Sequence, residues 1–109
     1  MEKIFNKLVR DNIPNIIESN NEIAVTKILD EDAYQYELYK KLKEECDEVL
    51  NSKNNLETLE ELADVLEIIK SIAELKNKNL DDVIEIAKEK RLKRGGFKQR
   101  IFLEKTIDR

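Results

Sequence analysis

The chain has 109 residues, a formal net charge of −4, 40% charged residues and 6% aromatic residues, with two glycines and one proline. This composition is typical of one helical domain, spanning residues 1–109, and argues against a turn-rich β-sandwich. The absence of histidine excludes Ser-His or Cys-His catalysis and a His-ligated zinc site.

The negative charge gives no reason to expect nucleic-acid binding. No run of about 18 apolar residues and no signal-peptide pattern occurs, so we expect neither a membrane partner nor export. Cys46 is the single cysteine, which precludes an internal disulfide and fits a cytoplasmic location.

The first predicted element is a short helix near the N-terminus. Asp11 or Asn12 would cap it, and it would run to about Ser19. The β-branched and partly alternating residues 23–29 then predict a short extended segment or strand.

Two long helices follow. Asp30 would cap the first, over about residues 31–51. A polar turn precedes the second, over about residues 56–76, where Asn54 and Glu57 have the spacing of a capping box. Because the turn is short, we expect the two helices to pack as an antiparallel hairpin.

The last predicted helix begins with Asn79 and Asp82, at capping-box spacing, and runs to about Arg94. Two glycines end it. Residues 101–103 are apolar and predict a final short extended segment or strand.

The second long helix has an apolar face wider than one partner helix needs. A face of that width on so short a chain predicts that helices of a second subunit complete the bundle. The face consists of the stripe Leu59, Leu62, Leu66, Ile69 and Ala73, with Val65, Ile68 and Ile72 beside it.

Two acidic pairs have a spacing that suits a metal site. Glu45 and Glu48 lie on the first long helix, and Glu61 and Asp64 lie on the second. Residues three apart share one helix face, so two such pairs on facing helices converge. Four carboxylates form an oxygen-lined site for Mg²⁺, or for Mn²⁺ as an alternative.

The alternative is that these acids are ordinary surface residues. With 24 acidic residues in the chain, pairs three apart such as Glu57 and Glu60 arise by chance. Glu45 and Glu61, however, occupy positions that the apolar pattern reserves for the core. Acids pointing into an apolar seam are costly unless something compensates them, and a metal ion would do so.

Basic residues cluster at the end of the last helix, including Lys88, Arg91 and Arg94. They could simply complement the helix dipole. In the functional interpretation they bind substrate phosphates beside a metal. Lys7 and Arg10 near the N-terminus are candidates for the same role.

Four segments resemble one superfamily. Residues 44–48 and 61–64 match an EExxE…ExxD signature, residues 7–17 read KLVRDNIPNII, and residues 93–103 read KRGGFKQRIFL. Together they resemble the all-α nucleotide pyrophosphohydrolases, which include MazG-like proteins, dimeric dUTPases and phosphoribosyl-ATP pyrophosphohydrolases. The two ends resemble a small bacterial and phage branch of that superfamily.

The resemblance implies roles for the acids. Glu45, Glu48, Glu61 and Asp64 would be the Mg²⁺ ligands. Glu44 would lie behind them or position the attacking water, and Glu44 and Glu45 are the candidate catalytic residues. The implied fold is a MazG-like helical hairpin that completes a four-helix bundle as a homodimer or homotetramer.

The implied activity is hydrolysis of a nucleoside triphosphate to a monophosphate and pyrophosphate, in nucleotide house-cleaning. One alternative is the phosphoribosyl-ATP pyrophosphohydrolase of histidine biosynthesis. An alternative of another class is a non-catalytic helical interaction module, whose acids are structural or solvated.

Overall fold

The computed structural model describes all 109 residues and contains four α-helices and no strand. The helices are α1 (Ile13–Ser19), α2 (Glu31–Leu50), α3 (Asn55–Leu75) and α4 (Leu80–Arg94). The predicted all-α class is confirmed, and each boundary lies within one or two residues of the expected one.

Local capping explains why the boundaries were predictable. The Asp30 carboxylate accepts a hydrogen bond from the backbone N–H of the third residue after it, at 2.8 Å. Asn54 does the same at 2.9 Å, although Glu57 does not return the reciprocal bond that the sequence predicted. At α4 the capping box formed by Asn79 and Asp82 is complete. These bonds satisfy backbone donors that a helix leaves free at its start.

The cap of α2 gives a stability prediction. Asp30→Ala is expected to lower the free energy of unfolding by about 1 kcal/mol, because it frees a backbone donor, and so to lower Tm by about 4 to 8 °C. Asp30→Asn is the matched control, because asparagine caps about as well as aspartate. Thermal unfolding of both variants checks this, and an equal loss in both would contradict the cap as the cause.

A seam between α2 and α3 is the main packing contact. The short turn between these helices brings them together as the predicted hairpin. The three buried residues of the chain are Leu38 on α2 and Ile68 and Ala73 on α3. Leu42 and Val49, four and eleven residues after Leu38, are half-buried, so this face of α2 lies against α3.

On α3 the seam follows one side of the predicted apolar face. Val65 and Ile72 are half-buried on either side of the buried Ile68, whereas Leu59, Leu62 and Leu66 are exposed. The exposed leucines, which we call the α3 leucine stripe, form the part of the face that α2 leaves uncovered.

The predicted strands at 23–29 and 101–103 are wrong. Neither segment forms a strand or pairs with another. The side chain of Ile28 is exposed, and so are those of Ile101 and Phe102. The β-branched pattern describes only a local preference, whereas a strand needs a neighbour to pair its backbone N–H and C=O groups.

The chain exposes far more surface than a closed domain of its size. A folded monomer of 12.8 kDa exposes about 6,300 Å², whereas this chain exposes 10638 Å². The radius of gyration is 18.9 Å, compared with about 13 Å expected for a compact domain of this length. The helices therefore form an open arrangement with apolar surface left uncovered.

The outer helices contribute little to the core. No residue of α1 or α4 is buried, and α4 packs only against α3. None of the four helices combines the length and the apolar character that crossing a membrane requires. The hairpin of α2 and α3 is thus the rigid element on which a site can be built.

Candidate metal centre

Three acidic side chains meet at the hairpin seam, at similar distances from the turn that joins α2 to α3. Glu45 comes from α2, and Glu61 and Asp64 come from α3. Each offers one carboxylate oxygen, and these three oxygens lie within 4.8 Å of one another. We call these residues the acidic cluster. The spacing of three residues on α3 and the antiparallel packing together produce this convergence.

Two other predicted residues lie at the edge of the cluster. Glu48 is exposed and offers no oxygen to the set of three, although its charge reaches Glu61. The half-buried face of α2 continues from Glu45 to Val49, four residues later, so Glu48 lies beside the seam and stays exposed. Glu44 is exposed and forms no hydrogen bond or ion pair.

The acids of the cluster are only partly buried. Glu45, Glu61 and Asp64 all keep some exposure to solvent. The penalty for placing acids in an apolar seam is therefore smaller than the sequence pattern implied, because water still reaches the carboxylates.

Glu61 is the acid of the cluster whose pKa is raised. Partial desolvation between the two helices raises the pKa of its carboxyl group above the ordinary 4.5, and the charges of Asp64, Glu45 and Glu48 raise it further. When protonated, Glu61 can donate a hydrogen bond to the Glu45 carboxylate, which also raises its pKa. Like charges that crowd one carboxyl group favour its neutral form.

The raised pKa gives a pH prediction. Folding favours the protonated form of Glu61, so the stability that it contributes is present below pH 4.5 and is lost as pH rises through the raised pKa. In EDTA, Glu61→Gln is therefore expected to melt at a higher temperature than wild type at pH 7. The difference should shrink as the pH falls towards 4.5. A Tm difference that does not change with pH would contradict the account.

The donor set of the cluster fits a hard divalent cation. Carboxylate oxygens are the ligands that Mg²⁺ and Mn²⁺ take in proteins. Octahedral Mg²⁺ holds ligand oxygens about 3 to 4.2 Å apart, close to the 4.8 Å within which the three oxygens already lie. Three protein ligands would leave further coordination positions for water or for another ligand.

One cation reaches the cluster from the N-terminal segment. The Arg10 guanidinium Nη2 lies 2.7 Å from Oδ1 of Asp64 and donates a hydrogen bond to it. The side chains are 55% and 41% exposed. The sequence suggested Arg10 as a phosphate ligand, and the structure places it beside a carboxylate that a metal would use.

The other predicted phosphate ligands are not bonded to the acidic cluster. The Lys7 ammonium sits 5.6 Å from the centre of the Phe5 ring, and Lys88 pairs with Glu85 at 3.8 Å. Lys88 and Arg91 line a shallow depression on α4. No hydrogen bond or ion pair joins them, or the exposed Arg94, to the acidic cluster.

An apolar depression adjoins the cluster, and the sequence reasoning missed it. It has a volume of about 250 Å³. Its residues are close in sequence to the acids on both helices. The helical periodicity that predicted the acidic cluster could therefore also have predicted an apolar surface beside it. Low-dielectric surface beside charged groups strengthens their interactions. The lining residues are Cys46, Val49, Leu50, Leu62 and Val65.

The chain matches no protein-family model, no curated protein and no solved structure. What can be said of the site therefore follows from its geometry and from its residues.

Proposed function

We propose that the protein is a Mg²⁺-dependent nucleoside triphosphate pyrophosphohydrolase that releases a nucleoside monophosphate and pyrophosphate. The observation that supports this most is the convergence of Glu45, Glu61 and Asp64 from two helices of one hairpin. Three like charges this close destabilise the fold, and a bound cation would neutralise them.

The acids of the hairpin would have two roles, binding the cation and accepting a proton. Glu45, Glu61 and Asp64 would hold the cation, with Glu48 beside them. When bound, the cation neutralises charge on the phosphates and lowers the pKa of a coordinated water. Glu44 lies next to Glu45 on the exposed side of α2, where its carboxylate is free to accept a proton from the attacking water.

The products define the bond that breaks. Water adds to a phosphorus of the bridge between the α- and β-phosphates, the bridging P–O bond breaks, and one proton is released. Arg10, which is bonded to the cluster, is the basic group that we expect to contact the phosphate oxygens. Fixed cations aimed at developing charge on phosphates lower the barrier of phosphoryl transfer.

Pyrophosphate release from a panel of canonical and modified triphosphates and phosphoribosyl-ATP tests the proposal. Release that requires Mg²⁺ and stops in EDTA is expected with the triphosphates. Turnover of phosphoribosyl-ATP alone would replace the house-cleaning role with the histidine-pathway reaction. No turnover of any compound would contradict the enzyme and favour the interaction module.

The open fold supports a second part of the proposal, that two copies associate through α3. The chain exposes about 4,300 Å² more than a closed monomer of its mass would. Obligate homodimers bury about 2,000 to 5,000 Å² in total, or about 1,000 to 2,500 Å² per chain, so a second copy could cover up to about half of this excess. The α3 leucine stripe would then join the hairpins of two copies into a four-helix bundle, and a tetramer would pair such dimers.

A further inference from the structure

The contact between Arg10 and Asp64 indicates a role for Arg10 beyond that of a phosphate ligand. Asp64 is one of the three carboxylates of the acidic cluster, and its Oδ1 accepts the Arg10 guanidinium at 2.7 Å. The cluster therefore already has one positive partner, which comes from a segment 54 residues away in sequence.

The ion pair between Arg10 and Asp64 is weak enough for another cation to replace the guanidinium. The two side chains are more than a third exposed, and ion pairs of that kind contribute little to stability because water competes for both partners. It is also the one hydrogen bond or ion pair between residues 1–29 and the rest of the chain. Breaking it would leave the hairpin intact.

A divalent cation and the guanidinium would compete for the same carboxylate. Both are attracted by the acidic cluster, and a cation held there would repel the guanidinium, since like charges a few ångströms apart repel strongly. Once free, Arg10 would present a planar fork of donors that matches phosphate oxygens.

We propose that Arg10 is an exchangeable internal cation: binding of a divalent cation at the acidic cluster displaces it from Asp64 and turns it towards the substrate phosphates. This inference rests on the proposed function, because it needs a cation at the cluster. It adds an order of events, in which the metal binds first and the phosphate ligand becomes available second.

Mg²⁺ titrations of wild type and Arg10→Gln test the exchange by calorimetry, without any turnover. Removing the competitor is expected to tighten Mg²⁺ binding by about three- to tenfold. With Mg²⁺ saturating, the same variant is expected to bind pyrophosphate about tenfold more weakly, because it lacks the guanidinium fork. Circular dichroism confirms that the variant is folded.

Lys7→Gln is the matched control for Arg10→Gln. It removes the same charge from the same segment, but Lys7 lies near the Phe5 ring and pairs with no acid. We expect its Mg²⁺ affinity to equal that of wild type. Equal tightening in both variants would mean that only overall charge matters, and it would overturn the exchange.

Two further outcomes separate the exchange from the metal site itself. Unchanged or weaker Mg²⁺ binding by Arg10→Gln, with binding by wild type intact, would overturn the exchange and leave the proposed site standing. Weaker binding would mean that Arg10 instead orients Asp64 for the cation. No Mg²⁺ binding by either protein would overturn the site and the exchange together.

Discussion

Replacing two carboxylates of the acidic cluster, Glu45→Gln with Asp64→Asn, is expected to reduce pyrophosphate release by about a thousandfold or more. The cation at such a site supplies several kcal/mol of charge stabilisation in the transition state, and about 1.4 kcal/mol corresponds to a factor of ten in rate. Both substitutions keep the shape of the side chain and remove only the charge, so the hairpin should stay folded.

The matched control for this variant is Asp47→Asn with Glu74→Gln. These residues also lie one on α2 and one on α3, are exposed, and use their side chains in no hydrogen bond or ion pair. The control has the same net charge as the cluster variant, so it should retain wild-type turnover in Mg²⁺. Equal activity in the two variants would contradict the roles of Glu45 and Asp64.

Replacing two leucines of the α3 leucine stripe, Leu59→Glu with Leu66→Glu, is expected to dissociate the proposed dimer into monomers. Leu59 is 65% exposed and Leu66 is 48% exposed in one chain, so the substitutions cost the isolated fold little. Burying four glutamates in the interface of a dimer would be costly, since unpaired charges lose their hydration. Sedimentation equilibrium should show twice 12.8 kDa for wild type and that mass once for the variant.

Ile23→Glu with Ile28→Glu is the control for the stripe. Both isoleucines are highly exposed but lie in the segment before α2. This variant should keep the mass of the dimer, because the proposed interface does not include that segment. A monomeric wild type would contradict association through α3, and loss of the dimer in both variants would show that added charge alone prevents association.

Local signals explain why so much of the helical framework could be predicted. Asp30, Asn54 and Asn79 each bond to the backbone three residues later, so each helix start depends on a few neighbouring residues. The hairpin followed from a turn too short to let α2 and α3 separate. Strand formation at 23–29 and 101–103 depends instead on a distant partner, and no other segment supplies one.

In the candidate site, too, local spacing could be predicted from the sequence, whereas contacts between distant segments could not. The spacing of Glu61 and Asp64 and the pattern around Glu45 predicted three acids that the structure does bring together. The contact of Arg10 with Asp64 joins residues 54 positions apart, and no periodicity relates them. The position of Arg91 relative to the acids likewise depends on the direction in which α4 leaves α3, which helix periodicity cannot give.

Thermal unfolding with and without Mg²⁺, at fixed protein concentration, tests the metal centre most directly. A Mg²⁺ concentration about ten times the Kd adds about 1.4 kcal/mol to stability, so wild type and the Asp47/Glu74 control should melt about 5 to 10 °C higher. The Glu45→Gln/Asp64→Asn variant should show no shift. No shift in wild type, or an equal shift in all three proteins, would contradict a metal centre at the acidic cluster.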